Sequence, residues 1–250
     1  MQLPEYESQR LERSPLVLVA AQISFEEVGR EVTHAQARSF QRLMGDGDWT
    51  QLQSAPLMSA TMTPAGTVTE PNRQAYRLAT SDGGWGLLMN PDSVAVETRS
   101  YTSWPDFRAV LETLIAAVAE VFDPATELRL GLRYIDQIPL PDGYADWSKL
   151  VHESLLGLTA DDRFGGSVLA SDQRVMLQLD EDVRSVLRHG LLPAAEEGTL
   201  GQYLLDFDVF REHRPFSAES AIQGADKLHH FVGRLFMACV TPELYAWLKG

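Results

Sequence analysis

The sequence predicts an α+β fold made of two pseudo-repeats, residues 15–124 and 125–250, within one domain spanning residues 1–250. Three observations carry this. In LRLGLRYIDQIPL (Leu128 to Leu140), Leu128, Leu130, Leu132 and Tyr134 share one parity while Arg129, Gly131 and Arg133 share the other, the period of a strand with one buried face. Two long apolar stripes of helical period begin near Ser103, which resembles the start of a capping box, and Ser217. Corresponding elements recur at an offset of 112 to 114 residues, with Leu16 matching Leu128, Thr33 matching Asp146 and Ser103 matching Ser217.

Taken in order, Pro15 to Phe25 reads as a buried strand. Thr33 caps a helix with Ala37, Phe40 and Met44 on one face, and Gly45 ends it. Four strands follow, Leu57 to Thr63, Ala75 to Thr80, Trp85 to Met89 and Ser93 to Thr98. Turn signals at Pro64-Ala65-Gly66, Asp82-Gly83-Gly84 and Asn90-Pro91-Asp92 separate them. Ser103, Pro105 and Asp106 open a helix buried through Phe107, Leu111, Leu114, Val118 and Val121, which stops before Pro124.

The second half repeats this order. The Leu128 strand leads to a short helix around Trp147, Leu150 and Val151 that ends at Gly157. Candidate strands are Gly166 to Ser171, Arg174 to Leu179, a weak one near Val186, and Leu200 to Val209, with an exposed loop from Leu191 to Gly198. The last helix, Ser217 to about Cys239, buries Ile222, Ala225, Leu228, Val232, Leu235 and Cys239. Each half is thus β-α-β4-α, and the pair is expected to form one curved antiparallel sheet with the long helices on one face. The element order is analogous to that of the TATA-box-binding-protein-like folds, an analogy of fold that carries no function.

Composition narrows the function. Apolar content of 44% supports a substantial core, and no apolar run approaches the roughly 18 residues of a membrane span. The N-terminus MQLPEYESQR is polar, and Cys239 has no partner for an internal disulfide, so a cytoplasmic protein with a buried, inert thiol is expected. A formal charge of −14 opposes general nucleic-acid binding.

Several stretches resemble a sporadically distributed bacterial family of uncharacterised proteins of about this length. They are PLVLVAAQISFE, GGWGLLM followed by Tyr101, Trp104 and Phe107, LRYIDQI, and LFMACVTPELYAWLKG. This chain has Asp136 where the relatives favour Asn. Some relatives carry an antitoxin name, and the patchy distribution implies mobile or defence-related genes. The resemblance therefore implies a protein partner, such as a toxin or a defence component.

No phosphate loop, dinucleotide fingerprint, nucleophile elbow, HExxH or CxxC pair is present, which disfavours most cofactor enzymes. Gly45-Asp46-Gly47-Asp48 lacks the further acidic positions of a calcium loop. His229 and His230 point about 100° apart on their helix and do not form a zinc pair, so neither a metal nor a cofactor is expected. His229 is expected at the flank of the buried stripe and His230 on the charged surface.

Four residues form the candidate site. Asp206 and Asp208 share one face of LLDFDVF, with Tyr203, Leu205, Phe207 and Val209 on the other, and Arg129 and Arg133 share the open parity of the central strand. Two carboxylates on one face could hold a divalent cation or share a proton; equally, the four residues could pair internally. Arg77 and Arg174 lie on other strands whose faces the pattern does not assign. The arginines suit a carboxylate, a phosphate or an acidic partner. The leading expectation is a non-enzymatic interaction protein, and the alternative a small anionic-ligand binder or enzyme with its site on the sheet.

Overall fold

The computed structural model describes residues 3–250 except 8, 28, 30, 58–59, 64–65, 70–72, 145, 165–166 and 195–200, and gives the backbone alone for 56–57, 60–63, 66–69 and 73. The fold is α+β. Its strands are β1 (Leu16–Phe25), β2 (Gln51–Leu57), β3 (Ala60–Thr63), β4 (Gly66–Thr69), β5 (Arg73–Ala79), β6 (Trp85–Asn90), β7 (Ser93–Thr98), β8 (Thr126–Ile138), β9 (Gln173–Gln178), β10 (Arg184–Leu191) and β11 (Tyr203–Pro215). Its helices are α1 (His34–Met44), α2 (Trp104–Phe122), α3 (Glu153–Leu156), α4 (Ala218–Cys239) and α5 (Pro242–Lys249). Nine strands make one antiparallel sheet in the order β2-β5-β6-β7-β1-β8-β11-β10-β9, and β3 and β4 make a separate hairpin. None of the described helices is long and apolar enough to cross a membrane.

The chain divides into two compact units. One comprises Ala20–Leu130 and Glu212–Gly224. There Thr33 caps α1, as the sequence predicts, and the cap is reciprocal: the Gln36 amide N–H donates to Thr33 Oγ1 (3.2 Å) and the Thr33 N–H donates to Gln36 Oε1 (2.9 Å). Ser103 caps α2, whose stripe Phe107, Leu111, Leu114 and Val118 is buried. Phe122 ends that stripe against Phe25 and Phe40, with ring centroids 5.3 and 6.1 Å away. The predicted strand Leu57 to Thr63 is instead split between β2 and β3, and β2 begins earlier, at Gln51. Pro56 is compatible with β2 because β2 is an edge strand. Residues 64–65 of the predicted turn lie outside the described set.

The other unit comprises Met1–Val19, Gly131–Arg211 and Ala225–Gly250. Leu132, Tyr134, Asp136 and Ile138 of β8 are buried and Arg133 is exposed, so the alternation read from the sequence holds over this stretch. On α4, Ala225, Leu228, Val232, Leu235 and Cys239 are buried. His229 is buried beside them and His230 exposed, as expected. The N-terminal segment lies along α4 and α5. Arg234 donates to the carbonyls of Leu3 (2.8 Å) and Pro4 (3.0 Å), and the Arg13 N–H donates to that of Leu248 (3.0 Å).

Three expectations for this unit need correction. The predicted helix around Trp147 is a buried turn, because Trp147, Leu150 and Val151 reach the core through a bend and helix starts only at Glu153. Residues 167–171 are not strand, so among the described residues three strands, β9 to β11, follow β8 in the second half, where four were predicted. Finally, α5 follows α4 as a separate helix, capped by Thr241 with Pro242 in its first turn.

Candidate functional site

The site is built on β8 to β11, within the second unit described above. On β11, Tyr203, Leu205, Phe207 and Val209 are buried at 0 to 1% exposure and form the core face, which leaves Asp206 and Asp208 on the open face. On β10, Ser185, Leu187 and His189 are buried, so Arg184, Val186 and Arg188 point with the aspartates. The register sets Arg188 opposite Asp206 on one side and opposite Arg174 of β9 on the other. Arg133 of β8 reaches the same Asp206, so Arg133, Asp206, Arg188 and Arg174 cross four strands in one row.

Two of the three arginines are braced by carboxylates. Arg133 forms a bidentate pair with Asp206, Nε to Oδ1 at 2.8 Å and Nη2 to Oδ2 at 2.7 Å. The Asp206 side chain is 6% exposed and that of Arg133 48%, so the carboxylate is covered while the guanidinium still meets solvent. That hydrogen-bonded pairing raises the Arg133 pKa. Arg188 makes the same fork with Asp172 (2.8 and 2.9 Å) and holds its carboxyl below the usual range. Asp172 is in position because the Ser171 N–H donates to the Leu191 carbonyl (2.9 Å) and the Leu191 N–H donates to Ser171 Oγ (2.9 Å). Arg174 is exposed and has no ion pair among the described residues.

These side chains line a groove of about 520 Å³ with Asp208 and Val186. Three arginines and three aspartates make it formally neutral in a chain of net charge −14, and among the described residues Arg174 makes no ion pair. An incoming carboxylate or phosphate would find guanidinium donors left over after the two forks, since each guanidinium carries five N–H groups. Beside the groove on the same face Met176 is 63% exposed, and Val175, on the other face of β9, is 42% exposed.

Of the four residues predicted from the sequence, Arg133, Asp206 and Asp208 line this groove and Arg129 does not. Four positions along a strand separate Arg129 from Arg133 by about 13 Å, so shared parity does not make them one site. Arg129 belongs to the other compact unit, as does Arg77 of β5. The sequence reading left Arg174 unassigned to a face and passed over Arg188 and Asp172. Arg188 shares its parity with Arg184, but Val186 between them and buried Ser185 and His189 on the other face mask that signal.

Behind the groove the core holds several polar groups. The Tyr134 hydroxyl and His229 Nδ1 are 3.1 Å apart, and burial pushes His229 down to about 4, so the ring is neutral at physiological pH. His189 Nδ1 lies 3.1 Å from the Tyr203 hydroxyl, which donates to the Leu155 carbonyl (3.0 Å). Burial, with the Asp206 charge second, pushes Asp136 up to about 7, and burial with Asp136 pushes Cys239 up to about 12, leaving an inert thiol. Among the described residues no three His, Cys, Asp or Glu side chains could hold a metal ion. A second depression of about 400 Å³ in the other unit, near Arg38, Arg42 and Asp46, lacks this bracing: Arg38 bonds Gln41 and Arg42 bonds Ser39 on their own helix. No family model matches the chain, and no curated protein matches it.

Proposed function

We propose that this protein is a non-enzymatic interaction module whose open sheet face receives an acidic group of a protein partner at Arg133, Arg188 and Arg174. The observation that carries this reading is Arg174, an exposed guanidinium with no ion pair among the described residues, set beside two arginines already fixed by carboxylates. Exposed Met176, two positions along β9 on the same face, suits a protein surface better than a solvated ion. The resemblance of the sequence points to a toxin or other defence component as the partner, in the cytoplasm, where a lone Cys239 is at home. The net charge of −14 disfavours nucleic acid in the same role.

The strand order supports reading the sheet as a duplication. Outward from β1 it runs β7, β6, β5, β2, and outward from β8 it runs β11, β10, β9. In each half the first strand is innermost, the last lies beside it, and earlier strands lie further out.

A second reading, binding of a small anion, is favoured by the groove's volume, which falls within the roughly 300–1,000 Å³ of small-molecule sites. NMR titration separates the two. An acidic peptide should move the guanidinium resonances of Arg133, Arg174 and Arg188 at lower concentration than inorganic phosphate does. Saturation by phosphate without a response to the peptide would favour the small anion. If neither moves these resonances, both readings are wrong.

A further inference from the structure

The groove opens onto β9, the last strand in the sheet order. The Ser171 N–H donates to the Leu191 carbonyl and the Leu179 N–H to that of Val183, so the odd-numbered residues of this ladder hydrogen-bond inward to β10. By the period of an antiparallel ladder, Arg174, Met176 and Gln178 turn their backbone N–H and C=O groups outward. Among the described residues no strand pairs with that edge. Natural edges are usually blunted by inward charges or covered, whereas Val175 and Met176 leave this one apolar at its centre.

Charge identifies what would pair there. Arg174 sits directly opposite Arg188, a like-charge cross-strand pair that costs stability unless a carboxylate joins it. Asp172 serves Arg188 from one side, and Arg174 has no such group. A second copy of this chain would not provide one. Antiparallel self-pairing within β9 sets Arg174 against Gln178 or Met176, and the acids that flank the strand, Asp172 and Asp180, are already held by Arg188 and Lys227. Resting on the reading of the groove as the functional site, we infer that β9 is a docking edge. An extended segment of a protein partner adds antiparallel to it, with an apolar residue across from Met176, another beside Val175, and Asp or Glu across from Arg174. The backbone ladder supplies affinity and the acidic residue fixes register.

The test uses the full chain with two acetylated heptapeptides that differ at one position, a Val-Ile-Glu core and a Val-Ile-Lys core, followed by fluorescence anisotropy and amide exchange. The glutamate peptide should bind about tenfold or more tightly than the lysine peptide. Its saturation should slow exchange of the Arg174, Met176 and Gln178 amides at least about tenfold, because those N–H groups gain partners. Met176→Pro removes one outward donor without touching the ladder to β10, so it should abolish peptide binding in a folded protein. Should that variant unfold, the exchange measurement on the unaltered chain decides.

If the glutamate peptide is preferred but these amides exchange as before, strand addition is wrong while the groove reading stands. Equal binding of the two peptides would overturn both. Self-association through β9 in sedimentation, lost in Met176→Pro, would overturn the assignment to a different partner.

Discussion

At the scale of single residues, Arg133 and Asp206 bind through two hydrogen bonds but differ in exposure, and truncating each has a different consequence. Arg133→Ala leaves a carboxylate that is 6% exposed without its partner, and should cost about 1–3 kcal/mol, less than for a fully buried pair because the guanidinium is half in solvent. Adding Asp206→Asn should recover most of that loss, measured by urea unfolding of the four members of a double-mutant cycle. Arg174→Glu, by contrast, breaks no ion pair among the described residues and sets a carboxylate opposite Arg188, so the melting temperature should hold or rise slightly. Asp136 and His229 make opposite demands on pH. A carboxyl raised from 3.8 to about 7 lowers stability as pH rises through that window, since the unfolded chain ionises first. An imidazole lowered from 6.5 to about 4 lowers stability as pH falls from 6.5 towards 4, since the unfolded chain takes up the proton first. The two slopes offset each other between pH 4 and 6.5. Asp136→Asn should therefore expose a loss of stability on acidification below pH 6.5, and should stabilise the protein at pH 8 by roughly 2–4 kcal/mol. Unfolding curves at pH 4.5, 6.5 and 8 check this, and equal slopes for variant and parent would refute it.

Among the elements, β10 organises the groove and depends on one glycine. Gly190 has φ +152°, and a Cβ there would collide with the Ser171 carbonyl oxygen, a backbone atom with little room to shift. Gly190→Ala should break the contact between Ser171 and Leu191, release Asp172 from Arg188 and destabilise the unit by about 2 kcal/mol or more. The same strand explains why the site was only partly legible in the sequence. Helices α1, α2 and α4 were readable because each carries an apolar stripe of one clear period, preceded in α1 and α2 by caps at Thr33 and Ser103. In β11, and in β8 from Leu130 to Tyr134, the parity separates charge from core, so Arg133, Asp206 and Asp208 could be placed on the open face, whereas buried Asp136 breaks the pattern further along β8. In β10 the parity does not separate them, because Ser185 and His189 are buried and Val186 faces out, which scrambles the alternation and hides Arg188. Asp172 lies in a loop held by backbone hydrogen bonds that leave no mark in the sequence. The turn at Trp147 resembled a helix because its three apolar residues share helical spacing, although they reach the core through a bend.

For the whole molecule, net charge and local charge act in opposite directions. A chain of charge −14 repels an acidic partner at long range, beyond the roughly 8 Å over which salt at 0.15 M screens, while the groove attracts its acidic group at contact. Raising salt from 20 to 150 mM should therefore speed association and also speed dissociation, which stopped-flow kinetics with the glutamate peptide would resolve. The same net charge predicts no tight binding of duplex DNA at physiological salt, and nanomolar, sequence-dependent gel shifts would contradict that. The claim on which the account turns is that Arg174 is the cation an acidic partner meets. Its most direct test is the affinity of the Val-Ile-Glu and Val-Ile-Lys peptides for the parent protein and for Arg174→Glu. The account predicts that the preference for glutamate in the parent is reversed to a preference for lysine in the variant. An unchanged preference in a folded variant would contradict it.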